Sequence, residues 1–301
     1  MKKTVFLILL ICLLPACGKL GKDGRLRQDM DWSQWYYDDR QMEDDSPSLK
    51  IMSFNVRYSS ASEAAEENNW VNRRTGCYAM VNTERPVLMG VQECRLDQRT
   101  DLMDNCPGYE SIGRSRDNTA TGEQMDIFYL KDSVTIRDWG TFWLTDTPDE
   151  VSKHPSAGNY RCATWARVIH NKTGNEFYHI NTHLDLLEVR AFEMVVIMNF
   201  IRANCGTLPV VMTADWNTTE DDPIFDDMYE TFQSARITAA TGDAYGTYNG
   251  FSNYSGSRID HVFYRGFSSC SKFMTVRQSW EGYRFISDHF PVYAILKFQG
   301  V

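Results

Sequence analysis

The chain has 301 residues and a formal charge of −9, with 43% hydrophobic and 24% charged residues. That composition excludes a disordered or low-complexity protein and supplies enough apolar side chain for a sizeable core. The acidity argues against tight non-specific binding of nucleic acid, which needs a basic footprint, although a local basic cleft would remain compatible with it.

The first residues, "MKKTVFLILLICLLPACGK", place two lysines before an apolar run that ends in Leu14-Pro15-Ala16-Cys17. This resembles a bacterial lipoprotein signal over residues 1–17, with Cys17 lipidated and holding the mature chain to a membrane, and an ordinary secretory signal is the alternative. The apolar run is short for a transmembrane helix. The expected location is therefore the bacterial cell envelope, periplasmic or at the cell surface. Residues 18–48 read as a tether whose "MDWSQWYYDD" carries more rings than a solvated linker needs, so part of it is expected to dock on the domain that follows. Two cysteines belong to the leader. The other six, Cys77, Cys94, Cys106, Cys162, Cys205 and Cys270, match no zinc spacing and read as buried thiols with at most one disulfide.

From residue 49 onward, short β-rich runs alternate with helical patterns, and no Pro/Gly-rich break divides residues 49–301, which read as one catalytic domain. In chain order these are a strand at 49–57 ("LKIMSFNVR"), a helix at about 70–84, a strand at 86–93 ("PVLMGVQE"), a helix at about 95–105, and strands at 125–130, 164–170 and 176–184. A helix at 188–203 and strands at 208–217 ("LPVVMTADWN"), 258–265 ("RIDHVFYR") and 291–298 follow. "NKTGNE" between two strands has hairpin length and turn residues, so those strands should pair antiparallel. Hairpins and helix crossovers together predict an α/β protein with mixed sheets.

Several strands deliver a polar group where the apolar run stops. These are Asn55, Glu93, His183 with Asp185, Asp215 with Asn217, Asp260, and the adjacent Asp288-His289. Buried acids and amides are costly unless paired or bound to a metal, and ligand-binding groups gather at strand ends in such folds. Each also has a plain structural reading: Asn55 as a turn cap, His183 as a satisfied core histidine, "ADWN" as an Asx-turn, Asp288 as a cap on the last strand. Their combination and order favour a site.

The motifs "SFNVR", "VQE", "NTHLD", "ADWN", "RIDHVF" and "SDHFPV" together resemble the endonuclease/exonuclease/phosphatase superfamily, in that family's order and over about residues 50 to 298. Ala214 and Trp216 depart from the usual Gly-Asp-Phe-Asn but keep its polar atoms. "GTFWLTDTPD" and "GTYNGF" resemble stretches in a bacterial, often secreted, branch. The resemblance implies a four-layer α/β sandwich: two packed mixed β-sheets flanked by helices. It also implies a monomer that hydrolyses phosphoesters by metal-assisted attack of an in-line water.

In that reading Glu93 is the central metal ligand, with Asn55 beside it and Asp288 ligating directly or through water. Their hard oxygens suit Mg²⁺ or Mn²⁺ better than zinc. Asp260 holds and polarises His289, which touches the phosphate. Asp215 and Asn217 position or deprotonate the water, and His183 stabilises the phosphate or protonates the leaving group. Either Asp215 or His289 is the base, and either Glu123 or Asp126 orients His183 or is a solvated strand-edge acid. Arg161 is a phosphate fork or a structural ion pair. Asn249, with Tyr248 and Phe251, lines the substrate mouth or packs. Trp139, Trp143 and Trp165 read as core. The favoured substrate is a small, sugar-linked or lipid-linked phosphoester. A DNA or RNA nuclease is the alternative, and a non-catalytic surface-binding lipoprotein the further one.

Overall fold

The computed structural model describes residues 48–300 apart from 61, 62, 64, 187 and 253–255. The leader, Cys17 and nearly all of the tether lie outside the described residues. The elements run β1 (Ser48–Asn55), α1 (Trp70–Glu84), β2 (Leu88–Cys94), α2 (Leu96–Asn105), β3 (Tyr109–Ile112), β4 (Gln124–Leu130), β5 (Val134–Trp143), β6 (Cys162–His170) and β7 (Glu176–His183). They continue with α3 (Arg190–Asn204), β8 (Val210–Asp215), the short α4 (Asp226–Tyr229), β9 (Gln233–Ser234), α5 (Ala235–Thr238), β10 (Asp260–Arg265), β11 (Ser269–Thr275) and β12 (Val292–Lys297).

The strands form two mixed six-stranded sheets, ordered β11-β12-β1-β2-β4-β3 and β5-β6-β7-β8-β10-β9. The β1–β2 and β7–β8 pairs are parallel, and their crossovers carry α1 and α3. The hairpin between β6 and β7 is antiparallel, as its turn residues predict. Three apolar clusters account for the layering. Met52, Phe54, Met89, Val91 and Ile295 pack with α1 and α2 on the outer face of the first sheet. Met212, Ala214, Trp216 and Phe263 pack with Met194, Ile197 and Ile201 of α3 on the outer face of the second. Leu49, Ile51, Leu88, Val168, Phe177, Val211, Val262 and Ala294 fill the space between the sheets.

Period-2 alternation makes each strand two-faced, and the face that meets the other sheet changes character along its length. On β7 the alternate positions Phe177, His179, Asn181 and His183 are apolar at one end and polar at the other. On β8 they are Val211, Thr213 and Asp215. In the middle, Asn181 accepts from Gln92 (2.7 Å) and Thr213 (3.1 Å) and donates to the carbonyls of Val91 and Asp126. Gly90 belongs there because a Cβ would lie 2.0 Å from Thr213 Oγ1. The buried polar ladder is thus hydrogen-bonded across both sheets, which stabilises one relative register.

The strands β3, β5, β9 and β11 are additions to the sequence reading. Exposed or half-buried residues interrupt β3 and β5 between their buried ends, β9 has only two residues, and β11 begins on an exposed serine, so hydrophobic periodicity marks them poorly. Of the tryptophans expected in the core, Trp143 is buried, whereas Trp139 is 41% exposed on the edge strand β5. All six described cysteines are free and buried, so among the described residues no disulfide forms. No described helix is long and apolar enough to cross a membrane.

Candidate active site

Strand register brings the polar ends together. His183, Asp215 and Asp260 are direct neighbours across β7, β8 and β10, while Asn55 pairs with Gln92 across β1 and β2, beside Glu93. The two sheets therefore face each other with polar rims, and hydrogen bonds join them. The Asn55 amide donates to Glu93 Oε1 (3.1 Å) and, across the sheets, to Asp215 Oδ2 (2.9 Å). Its oxygen accepts from the Arg57 backbone N–H, so Asn55 offers N–H rather than oxygen to the carboxylates.

Three non-glycine residues at these strand ends adopt left-handed backbone: Arg57 (φ 55°), Glu93 (φ 57°) and Asn217 (φ 53°). Each such conformation costs about 1–2 kcal/mol, so three at one rim have to be held by their surroundings. For Glu93 the turn falls within a bulge between Val91 and Cys94. Arg73 holds the Arg57 segment. Buried in α1, it donates to the carbonyls of Val56, Arg57, Asn68 and Ile286. A charged residue within a helix reads as surface in the sequence, and nothing in its neighbours marks it otherwise.

The Ser287-Asp288-His289 loop is tied to β1 by Ser287 Oγ, which donates to the Asn55 carbonyl (2.7 Å). His289 Nδ1 lies 2.9 Å from Asp260 Oδ2, and its Nε2 lies 3.6 Å from Asp215 Oδ2. Burial alone would lower this imidazole, but Asp260 and Asp215 override it and hold the pKa well above the ordinary histidine value. Tyr248 packs edge-on against His289, with ring centroids 5.2 Å apart.

His183 sits 3.4 Å from the same Asp215 oxygen, yet its environment is opposite. Burial, then the guanidinium groups of Arg161 and Arg116, push its pKa well below the ordinary value. The Asn217 amide donates to the Leu184 carbonyl (2.8 Å) and to His183 Nε2 (3.0 Å), which assigns the proton to Nδ1. That Nδ1 is buried without a hydrogen-bond partner among the described residues. Asp215 accepts from the Asn217 backbone N–H, and burial pushes its carboxyl up to about 7 despite the His289 charge.

Glu93 and Asp288 both face Arg57, whose Nη1 lies 3.8 Å and 3.7 Å from them. Glu93, His183 and Asp215 each present a ligand atom within 4.8 Å of the others, as do Asp215, Asp260 and His289. Carboxylate oxygens with a single neutral imidazole and no thiolate fit a hard divalent cation. Geometry brings Asp215 beside the carboxylates expected to hold a metal, whereas Asn55, expected as a ligand, turns its N–H groups toward them because its oxygen is taken by the Arg57 N–H, and His183 Nε2 already accepts from Asn217.

Other expectations fall elsewhere. Neither Glu123 nor Asp126 has a hydrogen bond or ion pair to His183: Glu123 pairs with Arg116 (2.7 Å) and Asp126 with Arg99 (3.4 Å). Asn217 orients the imidazole instead. Asn249 is fully buried and spends its side chain on the backbone, donating to the Ser287 carbonyl of the facing loop and accepting from the Phe251 N–H of its own. Its place is to shape the wall behind Asp288. Asp185 accepts from the backbone of Gly158, Asn159 and Leu186, and its Oδ2 lies 3.7 Å from Arg161. The substitution of Trp216 for the usual phenylalanine is absorbed on the outer face, where it packs on Phe225 and Phe263.

A sequence model of the Endonuclease/Exonuclease/phosphatase family matches residues 52–289. The chain belongs to that family. Among solved family structures, a mannosyl-6-phosphatase of Bacteroides thetaiotaomicron is 30% identical, with 83% of this chain and 100% of that one covered and a TM-score of 0.76. A second family protein from Bacteroides thetaiotaomicron is 29% identical over 84% of this chain and 98% of that one, with a TM-score of 0.77. Zebrafish TDP2 with a single-stranded DNA product is 16% identical, covers 84% of this chain and 100% of that one with a TM-score of 0.65, and shares the fold alone. Like other members of the endonuclease/exonuclease/phosphatase family, the chain is a phosphoester hydrolase.

Proposed function

We propose that the protein hydrolyses a small, sugar-linked or lipid-linked phosphoester in the bacterial cell envelope, with Mg²⁺ or Mn²⁺ as cofactor. The carrying observation is the convergence of Asp260–His289, Asp215 and Glu93 around Asn55 at the joined rims of the two sheets. The mannosyl-6-phosphatase similarity supports a sugar-linked phosphate, and the lipoprotein-type leader supports envelope attachment through Cys17.

Glu93 and Asp288, with Asp215 near them, would hold the cation. When bound, it would supply Lewis acidity at a phosphoryl oxygen and help bring the substrate in. The protein groups do the rest. Asp215, with its carboxyl near 7 and fixed by the Asn55 and Asn217 N–H groups, is placed to take the proton of the attacking water. His289 is held charged by Asp260, so it acts as a donor to the phosphate rather than as the base. Neutral His183 offers its unpartnered Nδ1–H to a second phosphoryl oxygen.

The test is hydrolysis of aryl phosphates by the purified protein with Mg²⁺, with Mn²⁺ and with chelator, beside His289→Ala and Glu93→Ala. Activity that needs metal and falls at least a hundredfold in both variants is expected; activity surviving chelation and both substitutions would sink the reading. Nicking of supercoiled plasmid by the same samples would move the assignment to a nuclease.

A further inference from the structure

Beside the carboxylate rim lies a pair of arginines whose positions follow from strand register. Arg161 immediately precedes β6, and Cys162 and Ala163 at the start of β6 run beside Thr182 and His183 at the end of β7. Arg116 lies on the segment after β3. Its backbone N–H donates to the Glu123 carbonyl, and the neighbouring Ser115 bridges Gln124, which in turn pairs with Cys94 next to Glu93. The two arginines flank one small core of Met125, Trp143 and Cys162. The Trp143 indole donates to the Arg116 carbonyl, and the Leu144 N–H donates to the Arg161 carbonyl. Both guanidinium charges act on His183.

The hydrogen bonding of Arg161 is incomplete. Arg161 is only 5% exposed, and its Nε and Nη1 have no hydrogen-bond partner among the described residues. Asp185 is its nearest counter-charge at 3.7 Å, but both Asp185 oxygens already accept backbone N–H groups. Arg116 gives one nitrogen to Glu123, and that carboxyl is itself destabilised, first by burial and further by Glu93. A buried guanidinium with open N–H groups costs free energy unless something accepts them. An oxygen-rich anion at the His183 edge would accept from both.

We infer that Arg116 and Arg161 form a two-guanidinium fork for the terminal oxygens of a phosphate monoester, making the enzyme a monoesterase rather than a diesterase. A monoester keeps three non-bridging oxygens and a second negative charge, whereas a diester replaces one of those oxygens with a bulky ester arm. Planar guanidinium groups match paired phosphate oxygens, and inside a desolvated pocket the second charge is strongly discriminated. The inference rests on the phosphoesterase reading above and deepens it. Arg116 had no role in the sequence reading, because a lone "RSRD" between strands looks like a solvated turn.

The experiment compares kcat/KM for 4-nitrophenyl phosphate and methyl 4-nitrophenyl phosphate in Mg²⁺ for the wild type, Arg116→Gln and Arg161→Lys. Binding of inorganic phosphate is measured by calorimetry on the same proteins, and circular dichroism verifies folding. The wild type should prefer the monoester, and each variant should lower the monoester-to-diester ratio at least tenfold, mainly through KM, while weakening phosphate to a similar degree. Arg161→Lys retains charge but loses the fork, so it answers for the buried position if a neutral change would unfold it. A wild type that prefers the diester, or variants that lose both substrates equally, would overturn the fork. If neither ester is cleaved, the phosphoesterase reading fails separately. Phosphate binding unchanged by Arg116→Gln would then still reject the fork, and weakened binding would support it.

Discussion

The two histidines of the site, His183 and His289, lie within 3.6 Å of the same Asp215 oxygen and are both buried, yet the chain gives them opposite protonation. His289 has Asp260 and Asp215 around it and is held charged; His183 has Arg161 and Arg116 and is held neutral. Burial pushes both imidazoles the same way, so the sign of the nearby charges decides between them. One carboxylate centre is thereby bordered by a cationic donor on one side and a neutral donor on the other, a division of labour suited to a phosphate that must be gripped from two directions.

Removing the charge that defines the His289 side is the strongest test. Asp260→Asn should lower kcat on an aryl phosphate about 10²–10⁴-fold, since it releases the imidazole from its orienting carboxylate. A loss below tenfold would mean that the pair is structural. On the other side, His183→Gln should cost about 10–10²-fold, because a neutral donor is removed and a neutral amide replaces it. A larger loss than for Asp260→Asn would reverse the ranking of the two sides. The protonation contrast itself is read by NMR of the imidazole carbons in metal-free protein. The His183 signal should titrate well below the ordinary histidine value, and that of His289 well above it. Matching titrations would erase the comparison.

The smallest effect concerns a buried acid that no charge rescues well. Asp126 has Arg99 3.4 Å away, but neither of its oxygens has a hydrogen-bond partner among the described residues, and burial lifts its pKa to about 7. The folded state therefore keeps a proton that the unfolded chain gives up near pH ~4, so stability from this group is present at low pH and is lost as pH rises toward 7. Asp126→Asn should leave the melting temperature unchanged at pH 4 and raise it by roughly 3–6 °C at pH 8. An equal shift at both pH values would rule out the ionisation as its cause.

The parts legible in the sequence are those in which local chemistry and neighbours agree. The helix at 70–84 coincides with α1, and the strands carrying Asn55, Glu93, His183, Asp215 and Asp260 lie within one or two residues of their expected ends. Their apolar runs end in polar residues because the buried polar groups at the strand ends find partners in one another across the two sheets. The weaker strands β3, β5, β9 and β11 are legible only through their pairing, since their exposed residues interrupt the period.

By itself, then, the amino-acid order determined the alternation of strands and helices, the two-faced strands and the roster of polar strand ends. Only the tertiary structure decided which of those ends share charges. Asn217 rather than Glu123 or Asp126 orients His183, Asn249 supports a wall, Arg73 clamps four carbonyls, and Arg116 joins Arg161. The physical reason is that periodicity is a local property of the chain. A pKa or an unpaired guanidinium depends on groups far apart in sequence, such as Asn55 and Asp215, which are 160 residues apart and are brought together by the packing of two sheets.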